Sequence, residues 1–146
     1  IQLHMIGKLQ SNKVKFVIPL FDYIHSLDNL KLAQKISTEQ IKYKKRLKIF
    51  IQINIGDEEQ KNGINISDLE EFYKKCVEEL KLDIIGLMCL PPKNESAINY
   101  FKKMQSLSKI INVKELSMGM SGDYIPASES GSTFLRIGSK IFGERD

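Results

Sequence analysis

The feature that most constrains this chain is a repeated alternation between short apolar runs and longer segments with helical periodicity. Strand patterns occur at residues 2–7, 23–27, 47–55, 83–90, 114–120 and 133–138. Apolar residues at helical spacing fill most of the segments between them. Such alternation is typical of an α/β protein with a parallel sheet and crossover helices. Two architectures remain open at this point, a doubly wound open sheet and part of a (β/α)8 barrel.

Capping residues and a proline help to place the helices. Asp28 is predicted to cap the second helix, and Ser67 the third. Pro19 is predicted to close the first helical segment, and residues 95–111 to form the fourth helix. Asp123 can cap a short helix before the last strand.

Composition excludes several classes of protein. The length of 146 residues and the 42% share of apolar residues suit one packed domain. Lys and Arg outnumber Asp and Glu by 22 to 18, but the lysines are dispersed, which favours a solvated basic surface over a nucleic-acid site. No apolar run approaches the roughly 18 residues of a membrane span. Cys76 and Cys89 form no CxxC pair and have no nearby histidine pair, so we expect neither a disulfide framework nor a metal site, and a cytoplasmic location.

Glycine and serine residues follow the last two predicted strands. Ser121 and Gly122 follow one, and Gly138 and Ser139 follow the other. Backbone N–H groups at glycine and short hydroxyl side chains can hold a phosphate, and a helix beginning at Ser139 would add its positive end. Either pair alone is also what an ordinary turn contains. Because barrels often bind phosphate after strands seven and eight, the two pairs favour a barrel in which residues 2–7 form strand three.

Several other side chains are candidates for a site at the same end of the sheet. Arg136 lies in the middle of the last predicted strand and keeps its charge when buried, so it needs either a ligand or a strand-end carboxylate as acceptor. His4 and His25 have no nucleophile near them in the sequence and are interpreted as hydrogen-bonded core histidines. Lys61, in a polar loop, is either an exposed lysine or an auxiliary site residue.

The methionines near strand ends have a simpler interpretation. Met88, Met118 and Met120 are expected in the core or in a pocket wall. A flexible thioether fills irregular space there, against another side chain or a flat ligand.

Five ordered motifs carry a resemblance to a known family. They are HMIGKLQSNK (4–13), IQINIGDEEQKNGI (51–64), GLMCLPP (86–92), LSMGMSGD (116–123) and LRIGSKIFGERD (135–146). In order and spacing they resemble the pyridoxal phosphate homeostasis proteins, which are related to the barrel domain of alanine racemase. The resemblance covers the whole chain.

The resemblance implies a (β/α)8 barrel that holds pyridoxal 5′-phosphate (PLP) at its mouth. Ser121, Gly138 and Ser139 would hold the phosphate, and Arg136 would face the pyridine nitrogen. A permanent cation at that nitrogen disfavours a protonated ring, which makes the cofactor a poorer electron sink. The cofactor-binding candidates are Ser121, Arg136, Gly138, Ser139, Met120, His4 and Met88.

Two motifs of the family do not occur in residues 1–146. One is an SKT-like motif on the first strand, which carries the Schiff-base lysine, and the other is a GENY-like motif on the second strand. We therefore assign no catalytic residue. The expectation is a single barrel domain of about six βα units, strands three to eight, without the first two.

For function, the resemblance implies a PLP-binding protein of intracellular PLP homeostasis that carries or buffers the cofactor without catalysis. The alternative is a PLP-dependent amino-acid racemase or lyase, which is disfavoured because related racemases use a second domain that is not expected here. The expected partners are PLP and PLP-dependent apoenzymes, with no nucleic acid or membrane. We expect the full-length protein to be monomeric, and residues 1–146 to bind PLP weakly, mainly through its phosphate.

Overall fold

Residues 1–59 and 62–145 are described by the structure, which is a computed structural model. Its strands are β1 (His4–Met5), β2 (Tyr23–Leu27), β3 (Lys48–Ile53), β4 (Asp83–Cys89) and β5 (Glu115–Ser117). Its helices are α1 (Val14–Leu20), α2 (Leu30–Tyr43), α3 (Leu69–Lys74, continued by a π-helical turn at Lys75–Glu79), α4 (Ala97–Ile110), α5 (Tyr124–Glu129) and α6 (Ser139–Phe142). The auxiliary candidate Lys61 lies outside the described residues.

The strand order distinguishes between the two predicted architectures. All pairings are parallel, and the order in the sheet is β1-β2-β3-β4-β5, the same as in the chain. A doubly wound sheet reverses its strand order at a switch point, whereas a barrel adds each new strand beside the last. The described sheet has no reversal, so it follows the barrel pattern.

The sixth predicted strand, at 133–138, is wrong as a strand. The segment lies beside β5, but only a single parallel bridge, between Ser117 and Phe134, joins the two. Besides the bonds of that bridge, the Thr133 N–H donates to the Leu116 carbonyl and the Arg136 N–H to the Gly119 carbonyl, each at 2.9 Å. The segment therefore takes the position of a strand without forming a regular ladder.

Side-chain hydroxyls explain why the ladder is interrupted. Thr133 Oγ1 accepts a hydrogen bond from the Leu116 N–H at 2.8 Å, and the Ser132 hydroxyl donates to the Met118 carbonyl at 2.6 Å. Serine and threonine compete in this way with backbone partners. The Leu116 N–H and the Met118 carbonyl therefore bond to side chains rather than to the backbone of the neighbouring segment.

The two faces of the sheet pack differently. Ile49 and Ile51 belong to the large apolar cluster that also contains residues of the helices. Phe50, between them, belongs to a smaller cluster with Tyr23 and Met88. Successive strand residues point to opposite faces, so the smaller, aromatic cluster lies on the face away from the helices. This face carries the candidate site.

The helix starts differ from the predicted caps. Asn29, not Asp28, caps α2, because its side chain accepts a hydrogen bond from the Leu32 N–H at 2.8 Å. The Asp28 carboxylate instead accepts from the Gly63 N–H at 3.1 Å, which ties the loop after β3 to the end of β2. Asp28, the predicted cap, therefore makes a tertiary hydrogen bond instead of capping α2.

Of three further predictions about helix ends, two are wrong in detail and one is confirmed in position. Ser67 lies inside a 3₁₀ turn, Ile66–Asp68, through which the chain enters α3, so it caps nothing. Asp123 is confirmed as the N-cap residue of α5, although its carboxylate accepts from the Met120 N–H, at 2.7 Å, and not from an N–H of the helix. Pro19 lies inside α1 rather than after it, near the helix end, where a missing N–H costs only one backbone bond.

Within the described ranges, 1–59 and 62–145, no helix combines the length and the apolar character that a transmembrane span requires.

Candidate functional site

A cavity of about 1220 Å³ lies at the carboxyl ends of the strands. Its walls come from the end of β1, from the loop after β5 and from the segment that begins at Phe134. Six of the seven predicted cofactor-binding residues line it: His4, Met120, Ser121, Arg136, Gly138 and Ser139. Met88 does not, since it is 1% exposed and packs in the aromatic cluster beneath.

A glycine turn carries the loop after β5 to the cavity. Gly119 has a φ of 97°, and a Cβ there would lie 2.6 Å from the Ala127 Cβ and 2.9 Å from Leu135 Cδ2. Glycine alone adopts this conformation without strain and leaves that space open. The turn places Met120 and Ser121 in the cavity wall.

Four backbone N–H groups are available at one end of the cavity. The amides of Ser121, Gly122, Gly138 and Ser139 donate to no acceptor among the residues that the structure describes. A Cβ on Gly122 or Gly138 would meet nothing within 4 Å, so a ligand can approach the backbone closely at both.

The predicted start of a helix at Ser139 is confirmed, although α6 has only four residues. The Lys140 N–H of this helix donates to Ser121 Oγ at 3.1 Å. That bond holds the loop after β5 against the first turn of α6, so the two Gly-Ser segments of the sequence meet at one place.

Arg136 is fixed by two hydrogen bonds from its side chain. Nη1 donates to Ser117 Oγ at 2.6 Å, and Nη2 donates to the Cys89 carbonyl at 2.9 Å. Burial lowers the pKa of Arg136, with Cys89 and Asp123 opposing that shift. The ion pairs of the described residues do not include Arg136, so the predicted alternative of a strand-end carboxylate partner is wrong there.

The two histidines are joined to the same serine. His4 Nδ1 lies 3.0 Å from His25 Nε2, and His25 Nδ1 lies 2.7 Å from Ser117 Oγ. Because His25 is 2% exposed and both of its ring nitrogens have partners, its prediction as a hydrogen-bonded core histidine is confirmed. Burial, together with His4 and Arg136, lowers the pKa of His25 to about 3. The pKa of His4 is also lowered by burial, against an opposing effect of Asp22.

Aromatic rings hold both imidazoles in place. His4 stacks on Tyr23 with ring centroids 4.1 Å apart, and His25 stacks on Phe50 at 4.3 Å. Phe134 meets Phe50 edge-on at 5.2 Å. Stacked and edge-to-face rings at these separations attract each other beyond simple burial. The hydrogen-bonded side chains therefore lie on a rigid floor.

The three methionines near strand ends lie in the core or in the pocket wall, as the sequence predicted. Met88 and Met118 are buried in the core, and Met120 lines the cavity wall.

The thiols take no part in this network. Cys76 and Cys89 are free and buried, and burial raises the pKa of each to about 12. In the part of the chain that the structure describes, no group of three or more His, Cys, Asp or Glu side chains could hold a metal ion.

Sequence reasoning missed Ser117, which connects His25 with Arg136. A signal for it was present in the pattern of the strand. Leu116 and Met118 are apolar and belong to the large core, so the residue between them must face the other side of the sheet. A small hydroxyl side chain at that position indicates a polar contact on the site face.

Comparisons with known proteins agree with this geometry. The family described as alanine racemase, N-terminal domain, matches residues 2–146. The pyridoxal phosphate homeostasis protein of Pasteurella multocida (strain Pm70) is 38% identical over 156 residues, which cover 100% of this chain and 67% of that protein. The chain belongs to the pyridoxal phosphate homeostasis protein family. The member from Vibrio alginolyticus is 36% identical over 154 residues, and this chain spans 66% of its length, just under two thirds.

Solved structures show the same family fold. PipY of Synechococcus elongatus PCC7942, in its structure without PLP, superimposes with a TM-score of 0.91 at 29% identity, covering 98% of this chain and 71% of PipY. The structure of PipY with PLP bound gives a TM-score of 0.87 at the same identity and coverage. The five-stranded parallel sheet is therefore part of a barrel of the alanine racemase N-terminal type.

Proposed function

We propose that this chain, as a single barrel domain, binds PLP in the cavity at the carboxyl ends of its strands and takes part in PLP homeostasis as a non-catalytic holder of the cofactor. The observation that carries the proposal is the meeting, in one cavity, of a fixed guanidinium and a cluster of available N–H groups. The family membership and the PLP-bound structure of PipY support it.

The phosphate would occupy the end of the cavity formed by the two Gly-Ser segments. Ser121 and Ser139 offer hydroxyls there, and the amides of Gly122 and Gly138 offer donors without a side chain in the way. Consecutive backbone N–H groups in such a turn form a concave anion site. The donors present therefore fit a phosphate.

The ring nitrogen of the cofactor would face Arg136. PLP assists amino-acid chemistry as an electron sink, most strongly when its ring nitrogen is protonated. The Arg136 guanidinium offers only donors and keeps its proton, so it fits an unprotonated nitrogen. The bonds to Ser117 and to the Cys89 carbonyl hold the guanidinium in one orientation. The residue thus binds the ring but does not favour its activation.

The state of His25 and the names of the relatives support a holder over an enzyme. Burial lowers the pKa of His25 to about 3, so its ring is neutral near neutral pH, and both of its nitrogens have partners within the protein. It is therefore not placed to exchange a proton with a ligand. The relatives at 38% and 36% identity carry the name of homeostasis proteins.

The wider role follows from the same proposal. A protein that holds PLP without using it keeps the free aldehyde low and can release the cofactor to PLP-dependent apoenzymes. We propose that it does so inside the cell and that the full-length protein works as a monomer.

Equilibrium binding of PLP, pyridoxal and inorganic phosphate to residues 1–146 tests the proposal. We expect weak binding of PLP, no measurable binding of pyridoxal, and displacement of PLP by phosphate. Replacing both Ser121 and Ser139 by alanine should weaken PLP binding about a hundredfold or more, because hydrogen bonds to charged groups contribute roughly 1.5–3 kcal/mol each. Ser128→Ala, on an exposed position of α5, is the matched control and should change nothing.

Two results would refute the proposal. Pyridoxal that binds as well as PLP would show that the phosphate site is wrong. Racemisation or decarboxylation of amino acids by the chain in the presence of PLP would favour the enzyme alternative.

A further inference from the structure

We propose that Ser117 and His25 form a directed hydrogen-bond relay that positions Arg136 at the cavity wall and leaves Nε2 of His4 as the terminal donor. The relay deepens the proposed function, because it names the positioning residues behind the guanidinium. It depends on that function only for the identity of the ligand.

The relay joins four segments of the barrel that are distant in sequence. Ser117 Oγ lies 2.6 Å from Arg136 Nη1 and 2.7 Å from His25 Nδ1, and His25 Nε2 lies 3.0 Å from His4 Nδ1. His4 belongs to β1, His25 to β2 and Ser117 to β5. The three contacts therefore connect segments that only the fold brings together.

The direction of the relay follows from the chemistry of its fixed end. A guanidinium has only donors, so Ser117 Oγ must accept from Arg136. The Ser117 side chain is completely buried, and its own O–H needs an acceptor. Among the described residues, its side-chain partners are Arg136 and His25, and only His25 can accept.

The protons of both imidazoles are then determined. His25 Nδ1 accepts from Ser117, so the single proton of a neutral His25 ring lies on Nε2. That proton is donated to His4 Nδ1, which places the proton of a neutral His4 ring on its own Nε2. Every bond of the relay thus runs away from the arginine, and His4 lines the cavity with an N–H to donate.

The surrounding groups keep the relay neutral apart from its arginine. His25 faces Arg136 from the segment after β5 and His4 from β1, and both disfavour a charge on it. Tyr23 stacks on His4, and Asp22 is the carboxylate that acts on that ring. On the side of β4, Arg136 meets the Cys89 carbonyl, and the buried thiol of that residue is neutral. The relay therefore has one cation, Arg136, whose side chain donates to a serine hydroxyl and a backbone carbonyl.

Nitrogen NMR of the ligand-free chain tests the relay directly. The sequence contains 2 histidines, so a long-range ¹H–¹⁵N correlation spectrum of histidine-labelled protein shows two imidazoles. We expect both rings to be neutral at neutral pH with the proton on Nε2. A proton on Nδ1 of His25, or a charged His25, would overturn the proposal. Since no PLP is present, this result is independent of whether the chain binds the cofactor.

A pair of serine variants separates positioning from packing. Ser117→Ala removes the central hydroxyl, and we expect His25 to lose its single tautomer and the Arg136 side-chain resonances to broaden. Ser26→Ala removes a hydroxyl that is also buried, on the same strand as His25, but that has no hydrogen-bond partner within the described chain. It should leave both imidazole patterns unchanged. An unchanged tautomer pattern in Ser117→Ala would refute the relay, and if that variant does not fold, the wild-type spectrum alone decides.

Discussion

Replacing Gly119 by alanine should destabilise the chain strongly, whereas the same change at Gly122, three residues later, should not. The φ of Gly119 is 97°, and its new Cβ would lie 2.6 Å from the Ala127 Cβ. A residue with a side chain in such a conformation costs roughly 1–3 kcal/mol, and overpacking adds roughly 1–3 kcal/mol. We therefore expect Gly119→Ala to lose about 2–6 kcal/mol of unfolding free energy, which is a large part of the roughly 5–15 kcal/mol of a typical domain.

Gly122 is the matched control because a Cβ there meets nothing within 4 Å. Gly122→Ala should keep its stability or gain about 0.4–1 kcal/mol, since alanine restricts the unfolded chain more than glycine does. Its added methyl group occupies the space proposed for the phosphate, so PLP binding should fall although the fold is intact. Urea denaturation followed by circular dichroism gives both unfolding free energies. Equal destabilisation of the two variants, or none in Gly119→Ala, would refute the role of the Gly119 turn.

Three further predictions concern the buried polar groups. Ser117→Ala should lose about 2–4 kcal/mol of unfolding free energy, because it breaks two buried hydrogen bonds, one of them to a cation. Ser26→Ala should leave the stability unchanged or raise it by about 1 kcal/mol, because that hydroxyl is buried without a partner among the described residues. Destabilisation of both variants in thermal denaturation would contradict this prediction. The pKa of His25 falls from 6.5 to about 3 on folding, so the unfolded chain binds more protons between these values and stability should decrease as the pH falls. His25 should account for a loss of about 1.4 kcal/mol of unfolding free energy per pH unit in this range. His25→Gln should therefore show a smaller dependence of the unfolding free energy on pH. Identical pH dependence in the variant and the wild type would exclude this role of His25. Cys76 and Cys89 should not react with a thiol reagent until the chain is unfolded, because burial raises the pKa of both to about 12; rapid labelling of the native chain would show that they are accessible.

Periodicity was sufficient to predict most of the sheet. The run at 23–27 is β2 as predicted. The run at 47–55 contains β3, where the β-branched residues Ile49, Ile51 and Ile53 are buried. The strand predicted at 133–138 does not form a regular ladder, because the side chains of Thr133 and Ser132 bond to the Leu116 N–H and the Met118 carbonyl. Such competition depends on which segment lies alongside, and periodicity does not contain that information.

The helix caps show the same limit on a smaller scale. Asp28 and Asn29 are both good capping residues, and nothing local decides between them. Gly63 decides between them, because its N–H donates a hydrogen bond to the Asp28 carboxylate. A residue 35 positions away thus determines where α2 begins.

The candidate site was predictable where its residues are close in sequence. The Gly-Ser pairs near Ser121 and Ser139 indicated an anion site because they follow two consecutive predicted strands. The connection from Ser117 to His25 was not predictable, because the two residues are 92 positions apart and only the sheet brings them together. His25 was correctly interpreted as a core histidine, yet its connection to the arginine became visible only in the structure.

The central claim is that the available amides at the end of the cavity hold the phosphate of PLP. The structure also contains a second cavity, of about 440 Å³, whose lining includes the cations Lys44, Lys45, Arg46 and Lys81. Titration of PLP into the ¹⁵N-labelled chain, followed amide by amide, distinguishes the two. We expect the largest shifts at the amides of Ser121, Gly122, Gly138 and Ser139. Shifts confined to the second cavity, or none at any PLP concentration, would contradict it.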